Sequence, residues 1–256
     1  MKKAIIAASY GSAYPSTLTN AIEPVEATFA GAFPDYAVRR AFTGRMTRQA
    51  LAQKGTPVDS VEEALERLAA EGFDEAAIQP THIISGSEYD SIRDAAAKFA
   101  DRFAKIRVGA PLLHDRSDIE TICRFLRGKL GGEDSLTVLM GHGSEHHANR
   151  LYADFADICR KLRFDDMFIA TLESTPSLDD LLPLLKASGR SKITLAPLLF
   201  AAGGHACRDM AGDEPHSWKS RLEAEGFTVN AVVKGLGEYS EIRALYVSHL
   251  KAAIAE

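Results

Sequence analysis

The chain has 256 residues, 46% hydrophobic and 25% charged, as expected for a soluble globular protein of one large domain or two ordinary ones. A formal net charge of -5 with no cluster of Lys and Arg argues against a nucleic-acid binder. Three scattered cysteines, Cys123, Cys159 and Cys207, form no CxxC and argue against a disulfide framework or a cysteine zinc site.

Along the chain, two lysines precede an apolar run, as at a signal peptide, but the run breaks at Tyr10-Gly11-Ser12 and is too short for one. Residues 3–9 are therefore expected to be a first strand, and the protein is expected in the cytoplasm. No segment approaches the ~18 apolar residues that span a bilayer, so no membrane partner is expected. A strand over 37–42 follows. Residues 58–72 carry Val61, Ala64, Leu65 and Leu68 at helical spacing, with Asp59 or Ser60 to cap the start and Gly72 to stop it. Then come a strand over 75–83, a helix over 88–103 that Glu88 could cap, and a strand over 105–111. The rest reads as helix 115–132, strand 135–140, helix 145–162, strand 166–172, helix 176–189, strand 192–199, strand 228–233 and helix 238–255. Strands that alternate with helices imply parallel sheets covered by helices on both faces.

The two halves resemble each other. AIIAASYGS (4–12) matches LTVLMGHGS (136–144), which pairs Tyr10 with His142. IQPTHIISGSEYD (78–90) matches LAPLLFAAGGHACRD (195–209), which pairs Glu88 with His205. The chain therefore reads as a duplicated α/β unit, 1–128 and 129–256, with the last helix able to pack back on the first half. The expected fold is two similar Rossmann-like domains with a cleft between them. Open parallel sheets bind ligands at the carboxyl ends of their strands.

The candidates for chemistry lie after those ends. His142 sits between Gly141 and Gly143, and His205 follows Gly203-Gly204. Each has a bland reading as a loop histidine that bonds its own backbone. Glu173 ends the strand after 167; its bland reading is a charge at the start of a helix whose first residue is Pro176. Together they form a nitrogen and oxygen set suited to a first-row divalent ion. His82 in PTHIIS is more simply a strand histidine. His146 and His147 fall on the first turn of a helix and point differently. His114, His216 and His249 read as surface or structural residues. No P-loop or GxSxG elbow occurs, and 235-GLGEYS-240 is only part of a dinucleotide fingerprint.

Four stretches carry a specific resemblance: the N-terminal KKAIIAASYGSAYPSTLTN, the central IQPTHIISGSEYD, GHGSEHHANRLY, and PLLFAAGGHACRDMAGDEPHSWKSRLEAEGF. In that order, over nearly the whole chain, they resemble the early-insertion sirohydrochlorin cobaltochelatases of anaerobic cobalamin biosynthesis, in the class II tetrapyrrole chelatase family. The resemblance implies two similar α/β domains, ATP-independent insertion of Co2+ into sirohydrochlorin, and metal-site residues matching His142, Glu173 and His205. It also implies that Glu88 matches an acidic residue of the same cleft. One imidazole, His142 in preference to His205, is expected to accept a pyrrole proton as a general base, with Glu88 helping to carry protons out or to position the ring. Tyr10, Ser12, Arg45 and His82 are expected to contact the tetrapyrrole, Tyr10 through its ring and Arg45 (with Arg48) through substrate carboxylates. Fe2+ or Ni2+ insertion, or a carrier without catalysis, are the alternatives. The family forms small homo-oligomers and has one exported branch with a leader peptide; this chain resembles the cytoplasmic branch.

Overall fold

The strand KAIIAAS buries every side chain after its leading lysine, and SLTVLMG does the same after its leading serine. Such strands belong inside a parallel sheet that is covered on both faces. The computed structural model, which describes residues 1–255, contains two such sheets. The first is built from β1 (Lys3–Ser9), β2 (Tyr36–Phe42), β3 (Glu75–Pro80) and β4 (Lys105–Val108), in the order β2-β1-β3-β4. The second is built from β5 (Ser135–Gly141), β6 (Met167–Thr171), β7 (Lys192–Pro197) and β8 (Thr228–Ala231), in the order β6-β5-β7-β8. All neighbours pair in parallel. The two sheets repeat one topology: the first strand of each lies in the middle, and the chain leaves it toward opposite sides in turn. That is the switch point at which such sheets place their ligands.

The helices that cover the sheets begin where their sequences stop satisfying amides in any other way. Helix α4 (Val61–Ala70) opens on a capping box between Ser60 and Glu63. Helix α6 (Arg116–Leu130) opens on one between Asp115 and Asp118, and α8 (Leu178–Ala187) on one between Ser177 and Asp180. Each cap contributes about 1 kcal/mol. Buried apolar side chains then join helix to sheet, Leu65, Leu68 and Ile92 against Ile6 and Ile78 in the first unit, and Leu178, Leu185 and Trp218 against Val138 and Leu195 in the second.

The chain divides into Met1–Leu112 with everything from Gly237 onward, and Leu113–Leu236. The expected division at 128/129 cut through α6, which packs on α7 (Arg150–Lys161) and so stays with the second unit. The final helix, α10 (Ser240–Ala255), belongs to the first unit. It packs on α2 (Glu23–Ala32) and β3. There the buried Tyr246 hydroxyl donates to Thr81 O at 2.7 Å, and Arg243 Nε donates to Thr28 Oγ1 at 3.1 Å. No helix among the described residues is long and apolar enough to cross a membrane.

Several local expectations change. The strand expected over 75–83 ends at Pro80, so His82 is not a strand residue but lies beyond the strand's carboxyl end. The helix expected over 88–103 is α5 (Ser87–Lys98), whose cap position is Gly86, so Glu88 stands in its first turn and caps nothing. Pro176 is not the first residue of α8; Ser177 takes the cap, and the Thr175–Pro176 peptide is cis. The helix expected over 145–162 starts as a short 3-10 turn, His147–Asn149, before α7. Cys123 and Cys159 are buried free thiols 3.1 Å apart.

His82 has a thermodynamic consequence. Its Nδ1 is out of solvent with no partner, and its Nε2 lies 3.2 Å from Thr43 Oγ1. Burial lowers its pKa to about 4. The unfolded chain takes up this proton near pH 6.5, while the folded ring refuses it until about pH 4. Stability is therefore full above about pH 6.5 and falls as pH drops toward 4. Urea unfolding at pH 7.5 and pH 5.0 should show wild type losing roughly 1–2 kcal/mol more than His82→Gln between the two. An equal loss in both proteins would show that His82 is not the group responsible.

Candidate metal-binding site

Three side chains from the second unit converge. His142 follows β5, the middle strand of its sheet. Glu173 follows β6 on one side of it, and His205 follows β7 on the other. One donor atom from each lies within 4.8 Å of the other two. Two bonds of about 2.1 Å to a common ion put donors at most about 4.2 Å apart, so slight rotation of these side chains brings all three onto one ion. They are the only such group among the described residues. The imidazole rings meet edge to face, with centroids 5.0 Å apart. All three side chains remain 43–56% exposed. A structural metal site closes around its ion, whereas this one leaves coordination positions open to solvent or substrate.

The backbone explains the convergence. The β5–β6 ladder continues past the strands: Leu172 N donates to Gly141 O at 3.0 Å, and Glu173 N donates to His142 O at 2.9 Å. This sets the two ligand residues side by side. Gly143 then turns the loop at φ +89, and a Cβ there would lie 2.8 Å from Ser174 N. A side chain at this position would meet both the left-handed backbone cost of about 1–2 kcal/mol and a clash with the Glu173 loop. Beneath, Tyr152 is buried, its ring packed against Gly141, and burial pushes the phenol up. On the third strand the chain continues beyond Pro197 to a π-helical turn, His205–Met210, that carries His205 back over the sheet.

Hydrogen bonds also select the nitrogens. A carbonyl can only accept, so the 2.9 Å contact from His142 Nδ1 to Gly143 O places the proton on Nδ1 and leaves Nε2 with its lone pair. The bland reading of His142 thus holds for Nδ1, and Nε2 is left available to a ligand. His205 Nδ1 lies 2.7 Å from Asp209 Oδ2, so a carboxylate orients this ring and leaves its Nε2 free. Asp209 was missed by the sequence reading. Its signal was the spacing of four from His205, which places two residues on one face of a helix.

The remaining candidates lie elsewhere. His146 Nδ1 accepts from Ala148 N, so His146 caps a turn, while His147 is exposed and stacks beside it. Tyr10, Ser12, Arg45, His82 and Glu88 all belong to the first unit, each just beyond a strand's carboxyl end or in the helix turn that follows. There the backbone repeats the second unit's pattern: Thr43 N donates to Ser9 O at 2.8 Å, and Gly44 N to Tyr10 O at 3.0 Å. Gly44 therefore stands where the second unit has Glu173. A Cβ on Gly44 would lie 3.0 Å from the Tyr10 ring, which is half exposed and lies against that glycine. Ser12 Oγ accepts from Tyr14 N at 3.1 Å. Arg45 is exposed and has no ion pair among the described residues, whereas Arg48 is bound to Glu63 at 3.1 Å. Glu88 is half-buried and likewise has no ion pair among the described residues.

The chain is similar to known proteins over nearly its whole length. A family model described as cobalt chelatase (CbiK) matches residues 3–255. The chain is 36% identical over 257 residues to the sirohydrochlorin cobaltochelatase of Salmonella typhimurium, covering 99% of this chain and 97% of that one. It is 37% identical over 262 residues to sirohydrochlorin cobaltochelatase CbiKC of Nitratidesulfovibrio vulgaris, covering 99% and 91%. Its fold is similar to that of SirB from Bacillus subtilis with Fe3+, at a TM-score of 0.68 and 15% identity over 100% of this chain and 96% of that one. It is also similar to the sirohydrochlorin chelatase SirB of Bacillus subtilis subspecies spizizenii in complex with cobalt, at 0.65 and 14% over 99% and 95%.

The Asp209 contact makes a testable claim. Asp209→Ala should weaken binding of a divalent first-row ion about 10- to 100-fold while the circular dichroism spectrum stays unchanged. Calorimetric titration with Co2+ measures it, and unchanged affinity would show that Asp209 does not orient a ligand.

Proposed function

The chain belongs to the cobalt chelatase (CbiK) family, and on that premise we propose that it inserts Co2+ into sirohydrochlorin through the site formed by His142, Glu173 and His205. The observation that carries this reading is the convergence of two imidazoles and one carboxylate on a single exposed point.

Metal insertion has three physical obstacles. The aqueous ion must shed water, two pyrrole N–H protons must leave, and a ring nitrogen must reach the metal from one face. The three donors address the first by replacing part of the hydration shell of Co2+ while leaving positions open. They also bear on the second. Histidine ligates only when neutral, so each imidazole whose ion has left carries a lone pair at Nε2. In our reading His142 and His205 take up the two pyrrole protons as general bases. One dication then leaves the site as two protons arrive, and the net charge of the site is unchanged. Glu173 completes the first charge balance, because a carboxylate offsets half of the ion's charge before transfer.

We assign tetrapyrrole contacts to the first unit. Tyr10 offers an exposed aromatic face supported by Gly44, suited to stacking on a flat macrocycle. Arg45 offers an unpaired guanidinium for a substrate carboxylate. Ser12 and His82 border the same strand ends, with the His82 ring held neutral by burial. Glu88 has no ion-pair partner to hold it and is free to pass protons outward. We propose that ATP takes no part, in keeping with a sequence that has no phosphate-binding loop.

Absorption spectroscopy of sirohydrochlorin under strictly anaerobic conditions tests the reading. Wild-type protein should convert many equivalents with Co2+ alone, at the same rate with and without ATP. His205→Ala should lose at least about 100-fold in rate, with its fold intact. Conversion that stops at one equivalent would instead indicate a carrier, and parallel runs with Fe2+ and Ni2+ rank the ions, because such a donor set does not by itself choose among them.

A further inference from the structure

Asn149 closes the short 3-10 turn that leads into α7, and its side chain makes no hydrogen bond to the helix that follows. Instead it joins two loops. Its Oδ1 accepts from Ser144 N at 2.9 Å, and its Nδ2 donates to Thr175 O at 2.9 Å. Ser144 lies two residues beyond His142, and Thr175 two residues beyond Glu173. One amide therefore spans the two segments that carry ligands from neighbouring strands. A primary amide offers a donor and an acceptor on one small planar group, as bridging an N–H to a C=O demands. The backbone of Asn149 is itself held, through Asn149 N donating to His146 O at 2.9 Å, so the bridge hangs from a fixed point.

The loop geometry calls for such a bridge. The last backbone bond between the two segments is that from Glu173 N to His142 O; beyond it Gly143 and Ser174 still pass close together, but no backbone hydrogen bond joins the segments there. Glu173 is more than half exposed, and its side chain makes no hydrogen bond; it only approaches His142 Nδ1, to 3.7 Å. The position of its carboxylate thus depends on the loop that bears it.

We propose that Asn149 is a positioning residue: it clamps the Glu173 loop to the His142 loop and so sets the gap that the metal ion must span. This rests on the reading of His142, Glu173 and His205 as the metal site.

The test is a double-mutant cycle on Co2+ insertion into sirohydrochlorin, with Co2+ varied, using wild type, E173Q, N149A and N149A/E173Q. N149A should lower kcat/KM for Co2+ about 10- to 100-fold, chiefly through KM. Added to E173Q, it should change kcat/KM by less than about twofold, because the ligand it places is already gone. Equal losses in both backgrounds would overturn the clamp, since Asn149 would then act independently of Glu173. N149L fills the same volume without hydrogen bonds and guards against misfolding; it should show the same coupling, and wild-type kinetics in N149L would overturn the proposal too. If E173Q alone inserts cobalt with wild-type kcat and KM, the reading of the metal site fails first, and the clamp with it.

Discussion

Three parallel strands in fixed register are what bring the site together. Hydrogen bonds between β6, β5 and β7 end together at the carboxyl edge of the sheet, so the residues that follow are delivered to one place. A cation that needs donors within about 4 Å of one another asks for placement finer than a loop alone provides. Here the ladder runs one step beyond the strands, to the bond between Glu173 N and His142 O, and the side chains need to cover only the last few ångströms. The first unit has the same strand order and the same backbone bond, but carries Tyr10 and Gly44 at these positions. One backbone frame thus presents metal donors in one unit and an aromatic face in the other.

Around the donors lies a layer of groups that hold atoms rather than contact the ion. Gly143 allows a turn that no residue with a side chain could make there. Tyr152 packs its buried ring against Gly141, Asp209 fixes which nitrogen of His205 is free, and Asn149 ties two loops. These partners let an exposed, three-donor site stay organised without closing. Openness matters to the proposed chemistry, because an ion that is to be handed to a macrocycle must be held firmly enough to lose water and loosely enough to leave.

Much of this was legible in the sequence. The apolar runs marked all eight strands to within a few residues, and the duplicated motifs announced two units of one topology. Glycines beside His142 and His205 singled them out from eight histidines. The conspicuous cluster His142, His146 and His147 misled as a cluster, because adjacency in sequence turned two of the three into a turn's cap and an exposed neighbour. Asn149 and Asp209 were not legible for a different reason. Asn149 falls inside the stretch expected to be one helix over 145–162, and only the third dimension shows its side chain facing two loops. The pairing of His205 with Asp209 needs a helical turn where the glycines suggested a loop. The unit boundary was hidden in part: α6 joins the second unit, against which it packs, whereas the return of α10 to the first unit was expected.

The central claim is that His142, Glu173 and His205 together hold the Co2+ ion on its way to the tetrapyrrole. Anomalous diffraction at the cobalt edge, from crystals of the protein with one equivalent of Co2+, tests it most directly. The account predicts a single strong peak about 2.0–2.2 Å from Nε2 of both histidines and from a Glu173 carboxylate oxygen. A peak at any other cluster of side chains, or a cobalt ion bound by His142 and His205 with Glu173 turned away, would contradict it.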